Sequence, residues 1–417
     1  MKRKTTAAAL RTCCAERTCA TLACVHNTCT VLFMGICVRN DMEVQERIDR
    51  RHLMEQSVNE KLIDWIQEKV GTEYANDISI VVLYGSFLNG TAHSKSDIDC
   101  YFIPRTERAY QFANDFIIDG VGYDIFPITW ERAEGIANLQ EALLPLIGDV
   151  KILYYHSEED LQRFTKLQSL LKSNLTDQET SYTAARQRVE NAYRFYHCAQ
   201  KSAAPSVIHK NAGGIIMTLA DAVALYHHTY YHYGLKRQFS DLQKIPEVPK
   251  QIWEEYRDVI CAESAENRLF HCRRMMQAVC QHLHMHPPTL PSEDEASQEP
   301  PQSAPPQVHY KALAAFYEEV CSTFNKIYVC CESENAILAY LSATCLQEDL
   351  DYAHAHLGAK CYDLISSFHY HDLDRLRDSA ESIEKDLVDF ITNGGVLLKK
   401  YDSFEEFAAF YKAQNTS

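Results

Sequence analysis

The sequence predicts an α/β (α+β) domain with a mixed β-sheet, followed by an α-helical C-terminal region. Three observations predict it. Between Ile78 and Leu171, short β-branched and aromatic runs alternate with longer amphipathic ones, the pattern of strands exchanged with helices. Beyond Ser173, apolar residues recur at helical spacing almost throughout. Pro287 to Gln307 is rich in Pro, Ser, Glu and Gln and reads as a flexible linker, which divides the helical half into 174–286 and 308–417. A chain of 417 residues has room for two or three domains and a sizeable core.

The first 41 residues stand apart. They are rich in Cys, Thr and Ala and lack helical or strand periodicity. Their best apolar run, Cys29 to Val38, spans ten residues, too short to cross a bilayer. It also lies too far along for a signal peptide. The expectation is a disordered leader, with the functional chain starting at Met42 and its first domain covering 42–173.

Glu43 to Val70 is charged and amphipathic, a helix with Leu53, Val58, Leu62, Ile63 and Ile66 turned inward. Ile78 to Tyr84 is a buried strand, and a second strand follows Ser96. Phe116 to Asp119 and Val121 to Ile128 pair around an Asp119-Gly120 hairpin turn. A helix through Leu139 to Ile147 leads to the last strand, Lys151 to Tyr155, and Ser157 caps the next helix. Helices over Thr176–Lys201 and Val207–Tyr233 follow, with Gly234 as a helix stop. After the linker the chain is helical again, with a turn at Asn393-Gly394-Gly395.

The chemistry concentrates in VVLYGSFLNGTAHSKSDIDCYFI, Val81 to Ile103. Gly85-Ser86 follows an apolar strand, and after ten residues Asp97-Ile98-Asp99 interrupts the next. Residues two apart on a strand share a face, so Asp97 and Asp99 are expected side by side. Mg²⁺ takes oxygen ligands and bridges carboxylates to substrate phosphates, and paired aspartates can hold two such ions. Gly85 would let the backbone approach a phosphate, and Ser86 would begin a short helix whose free N–H groups favour an anion. The competing reading, two chance aspartates in a buried strand, leaves two adjacent carboxylates without a cation, which is costly.

This stretch resembles the nucleotidyltransferase superfamily that includes DNA polymerase β and the antibiotic nucleotidyltransferases. Gly85, Ser86, Gly90, Ser96, Asp97 and Asp99 fall where that signature has them; Phe87-Leu88 departs from the basic residue many minimal members carry after the Ser. The resemblance covers Met42 to Leu171 well and Thr176 to about Arg257 loosely. It implies nucleotide contacts at Gly85, Ser86 and Ser96, and metal ligation by Asp97 and Asp99. It implies a third carboxylate from the next strand, and Asp124, flanked by Tyr123, Ile125 and Phe126, is the residue there; a solvent-facing edge acid is the alternative. In the helical half it implies a general base, for which Glu190 is the candidate against a solvated helix charge. Lys236 and Arg237 would reach a triphosphate, or else serve a helix C-terminus.

Composition narrows the function. The formal net charge is −16 and gives no sign of the basic stripe a nucleic-acid-tracking polymerase needs. An acidic protein would rather attract a cationic small substrate. Six of the sixteen cysteines precede residue 42, no zinc-type CxxC pair occurs, and the scatter suits a reducing cytoplasm. The alternating histidines at 282–286, 354/356 and 369/371 do not share a helical face and are not expected to bind metal.

The expected reaction is therefore transfer of a nucleoside monophosphate to a hydroxyl of a small molecule, such as an antibiotic. The donor would be ATP or another NTP, giving AMP transfer in the first case, with two Mg²⁺ ions and pyrophosphate leaving. No membrane or nucleic-acid partner is expected, and an oligomer is open. Two alternatives remain: adenylylation of a partner protein, in the manner of minimal antitoxin members, and a non-catalytic nucleotide sensor. A large helical half fused in cis speaks against the first, and the intact set of three acids against the second.

Overall fold

The computed structural model describes residues 57–88, 90, 96–288 and 307–414. The expected leader, Leu53, and nearly all of the expected linker lie outside the described residues. The described residues from Val58 onward group as one compact unit.

The first described helix, α1 (Val58–Thr72), turns Leu62, Trp65, Ile66 and Val70 inward. A six-stranded mixed sheet follows: β1 (Ile78–Tyr84), β2 (Asp99–Pro104), β3 (Asn114–Ile118), β4 (Val121–Pro127), β5 (Lys151–Tyr155) and β6 (Lys400–Tyr401), in the order β5-β1-β2-β4-β3-β6. β1 runs antiparallel to β2 and β5, β2 parallel to β4, β4 antiparallel to β3, and β3 parallel to β6. Both sheet faces are buried, so the strands are nearly continuous apolar runs. Cys100, Phe102, Phe116 and Ile125 pack on one face toward α1, while Tyr101, Ile103 and Ile117 pack on the other toward the helices. The β3–β4 hairpin turns through Asp119 and Gly120, both at positive φ, as a two-residue primed turn requires.

Two local expectations are corrected. The helix expected through Leu139–Ile147 is instead α2 (Trp130–Ala137) and a single turn, α3 (Pro145–Gly148). Thr129 caps α2 by accepting the Arg132 N–H, and Pro145 opens α3 because it has no N–H to give a helix interior. Ser157 caps α4 (Glu158–Thr176) as expected, accepting from the Asp160 N–H. After α5 (Gln178–Lys201), α6 (Pro205–Tyr226) ends seven residues before the expected Tyr233. Gly234, at φ +53°, does not stop that helix but opens α7 (Leu235–Leu242). The bundle continues with α8 (Lys250–Cys261) and α9 (Ala265–His282).

The C-terminal segment is fused to both halves. It comprises α10 (Tyr310–Glu332), α11 (Ala336–Tyr352), α12 (Asp374–Asn393), β6 and α13 (Phe404–Gln414). α10 lies across β3 and β4, and α11 packs on α6. The approach of α10 is close: a Cβ at Gly122 of β4 would sit 2.9 Å from the Glu318 carbonyl oxygen. Asn325 Nδ2 donates to the Gly120 carbonyl at 2.8 Å. Phe407 of α13 stacks on Phe116 and meets Trp65 of α1 edge-on.

Candidate active site

Strand register lines up one row of side chains across four strands. Tyr84 of β1 is opposite Asp99 of β2, Asp99 is opposite Asp124 of β4, and Asp124 is opposite Asp115 of β3. Asp99 and Asp124 share the sheet face of Tyr101 and Ile103, the face that α10 covers. Asp97 lies two residues ahead of β2 rather than on it, a correction to the strand expected from Ser96 onward. It still lines the same cavity as Asp99 and Asp124.

The Gly85-Ser86 turn serves the acid first. Gly85 has φ +81°, and a Cβ there would lie 1.8 Å from Asp99 Oδ2. The Ser86 N–H donates to the Asp99 carboxylate and holds its pKa down. Ser86 opens a hydrogen-bonded turn rather than the expected short helix. Ser96 is buried, and its carbonyl accepts from Asn59 Nδ2 at 3.0 Å, so it ties α1 to the acid loop. Gly90 is also at positive φ.

A cavity of about 180 Å³ is lined from the sheet by Tyr84, Asp97, Asp99 and Asp124. From above it is lined by Glu319 and Ser322 of α10 and Asp349 of α11. An adjoining cleft of about 520 Å³ shares Tyr84, Asp124 and Glu319, and runs on past Asp115 to Arg132 and Lys399. Five carboxylates thus face one small space. Burial, and then the charge of Asp97, push the Asp99 carboxyl up, against relief from Lys326 and the Ser86 N–H. Burial raises Asp97 too, while Lys326 and a Ser322 hydrogen bond pull it back. Asp124 is raised by burial, by its hydrogen bond and charge contact with Asp115, and by Glu319 and Asp97. Asp349 is pushed up to about 7 by burial and by Glu319 and Glu348.

These carboxylates suit a divalent cation. They are all-oxygen ligands, gathered, half-buried and mutually raised, which is the electrostatic state a cation reverses. Among the described residues, only Glu255, Asp258 and His271 have ligand atoms all within 4.8 Å of one another. Asp97, Asp99 and Asp124 are not gathered that tightly. Glu255 is already held by Arg274 and by His271, the latter at 2.8 Å, and Asp258 by Arg257 at 2.9 Å, so that trio is an ion-pair network.

The other sequence candidates separate. Lys236, in the first turn of α7, is lowered by burial and by the charge of Lys326. Lys326 in turn acts on Asp97 and Asp99, so a cationic path runs from Lys236 to the acids. Arg237 pairs with Asp241 at 3.3 Å and stacks on Tyr233, a local role. Glu190 pairs with Arg186 one turn away at 3.1 Å and lines neither cavity. Asp115, Glu319, Ser322, Lys326 and Asp349 escaped the sequence reading. Glu319 and Asp349 left one trace, acids set between apolar or aromatic residues in FYEEVCSTF and LQEDLDY.

Comparison with known proteins gives three findings. Residues 63–169 match the family model of the nucleotidyltransferase domain. No curated protein matches the chain. Among solved structures, the chain is similar to a nucleotidyltransferase-like protein from Exiguobacterium sibiricum 255-15, at 10% identity and a TM-score of 0.30, covering 52% of this chain and 78% of that one.

Proposed function

We propose, from the match of residues 63–169 to the nucleotidyltransferase domain, that the chain transfers a nucleoside monophosphate, AMP from ATP, to a hydroxyl of a small molecule such as an antibiotic. The observation that carries the reading is the row Asp99–Asp124 with Asp97 beside it, facing Glu319 and Asp349 across one cavity. Asp97 and Asp99 would hold divalent ions, Mg²⁺ by their all-oxygen chemistry, and Asp124 would complete the set on the acceptor side. Such ions, when bound, neutralise phosphate charge and lower the pKa of a coordinated hydroxyl.

The remaining work falls to the chain's own groups. Lys236 and Lys326 are suited to receive the triphosphate's charge, leaving Asp97 and Asp99 to the cations. Gly85 and Ser86 fix the Asp99 carboxylate, so its orientation costs nothing at the moment of reaction. The base role expected of Glu190 is better met by Asp349, which lines the cavity facing the aspartates, whereas Glu190 lines neither cavity. The cleft toward Asp115 and Glu319 has the volume and negative charge for a cationic, hydroxylated acceptor.

The test is a mass-spectrometric screen of full-length protein with Mg²⁺, each NTP, a panel of hydroxylated antibiotics and a panel of proteins. A small-molecule product heavier by one nucleotide, with pyrophosphate released, supports the reading. Nucleotide attached only to a protein would favour the protein-modifying alternative. Binding of MgATP with no product in any panel would favour the sensor.

A further inference from the structure

A second cavity, of about 100 Å³, lies among α5, α6, α7 and the 141–145 loop. Its walls are mostly apolar, with Leu144, Leu225 and Leu235 among them, yet three charged residues, Arg188, Asp221 and Glu141, line it. Arg188 is only 6% exposed. Its Nη atoms donate to the carbonyls of Leu139 and Gln140, but its Nε has no hydrogen-bond partner among the described residues. Asp221 accepts one hydrogen bond, from Gln238 Nε2 at 3.2 Å. Gln238 is itself fixed by the Tyr256 hydroxyl at 2.9 Å. Arg188 and Asp221 feel each other's charge, but no ion pair within 4 Å joins them among the described residues. Glu141 also lines the cavity, but Arg132 holds its carboxylate at 3.1 to 3.3 Å.

Arg188 Nε is itself enclosed, so the guanidinium meets the cavity through its remaining Nη–H capacity, and a cation and a carboxylate with capacity to spare are both costly in an apolar wall. A pair of opposite charges kept apart by a cavity is the complement of a small molecule carrying both signs. A cavity of about 150 Å³ takes the six carbons of benzene, so this one encloses roughly four non-hydrogen atoms, and a ligand of five or six extends toward its opening at the surface. Leu143, 54% exposed, marks where the cavity wall reaches the surface.

We propose that this cavity binds a small zwitterion of the α-amino acid class, of glycine or alanine size, with its carboxylate toward Arg188 and its ammonium toward Asp221. The site is separate from the acid cavity and does not rest on the reading of that site. It shares α7 with it: Leu235 and Gln238 line the zwitterion cavity, and Lys236 lies between them in sequence.

Calorimetry on the full chain tests this with L-alanine, glycine, L-leucine, propionate and isopropylamine at millimolar concentrations. Expected are one-to-one binding of alanine or glycine and weaker binding of leucine, which is too large. Propionate and isopropylamine, each lacking one charge, should bind at least about tenfold more weakly, the worth of one charge-assisted contact. Asp221→Asn should weaken alanine binding by about the same factor. Ala224→Leu, which fills the cavity and leaves both charges in place, should abolish it. Absence of binding by every probe would overturn the proposal, as would propionate binding equal to alanine's or alanine binding undiminished in Ala224→Leu. The wild-type ligand series decides the matter even if both variants fail to fold.

Discussion

Gly85 shows how one residue type can be demanded by two constraints at once. Its φ of +81° already disfavours a side chain, and the space a Cβ would need is filled by the Asp99 carboxylate. Gly85→Ala is therefore expected to lower stability by about 1–3 kcal/mol and to remove nucleotidyl transfer by displacing Asp99. Thermal melting and a transfer assay on one preparation check both; an alanine variant with wild-type activity would mean Asp99 is free to move without cost. Asp99→Asn separates charge from shape. The amide keeps the packing but is a poor ligand for a divalent ion, so transfer should fall by roughly 100-fold or more. Its melting temperature above pH 7 in the absence of divalent ions should rise, because burial and Asp97 hold the native carboxyl above its ordinary range. Full activity in Asp99→Asn would end its assignment as a metal ligand.

The helix that completes the acid cavity, α10, carries information that no local pattern holds. It reaches β4 only because Gly122 has no side chain to keep it away, and it sets Glu319 and Ser322 over the aspartates. Gly122→Leu should force α10 off the strand, costing about 1–3 kcal/mol, and should depress transfer although no cavity-lining residue has changed. Hydrogen exchange over residues 310–332 would show the loosening; unchanged protection there would contradict it. The elements of the acid half could be read because their signals are local. A β-branched run, a Gly-Ser turn, an Asp-Gly hairpin and a serine cap each depend on a few neighbours, and the structure has them at Ile78–Tyr84, Gly85-Ser86, Asp119-Gly120 and Ser157. Misreadings came where a single residue decides between neighbours. Pro145 split a helix, and Gly234 opened one rather than closing one. Asp97 fell outside its strand because pairing with β1 begins only at Asp99, opposite Tyr84. Glu319, Lys326 and Asp349 went unread for a different reason. They come to the site from far along the chain, beyond the whole helical bundle, by packing alone.

Across the whole molecule the main imbalance is electrostatic: a formal charge of −16, with several of the acids enclosed. No helix among the described residues is long and apolar enough to cross a membrane, and the ten described cysteines are free thiols. Stability must then depend on pH in a definite direction. Asp221 has its carboxyl pushed up to about 7, by burial first, against the pull of Arg188 and the Gln238 hydrogen bond. In the unfolded chain it titrates near 3.8. Between about pH 4 and 7 the folded form thus binds a proton that the unfolded form has lost. The difference ν_U − ν_N is negative, and stability falls as pH rises through that window and then levels off. Asp349, also raised to about 7, acts in the same sense. Asp221→Asn removes one of these contributions while keeping an acceptor for Gln238. The variant should match the wild type near pH 4 and exceed it by on the order of 2 kcal/mol at pH 8, with the gap opening between. Urea denaturation at half-unit pH steps, without divalent ions or amino acids in the buffer, measures the gap directly. A gap constant with pH would mean the substitution acts through packing, and one that closes as pH rises would reverse the sign of the Asp221 shift. Adding alanine to the wild type at pH 8 supplies the ammonium partner that Asp221 lacks. It should recover part of the gap in the wild type and none in the variant, which links the charge balance of the fold to the ligand its second cavity is built to hold.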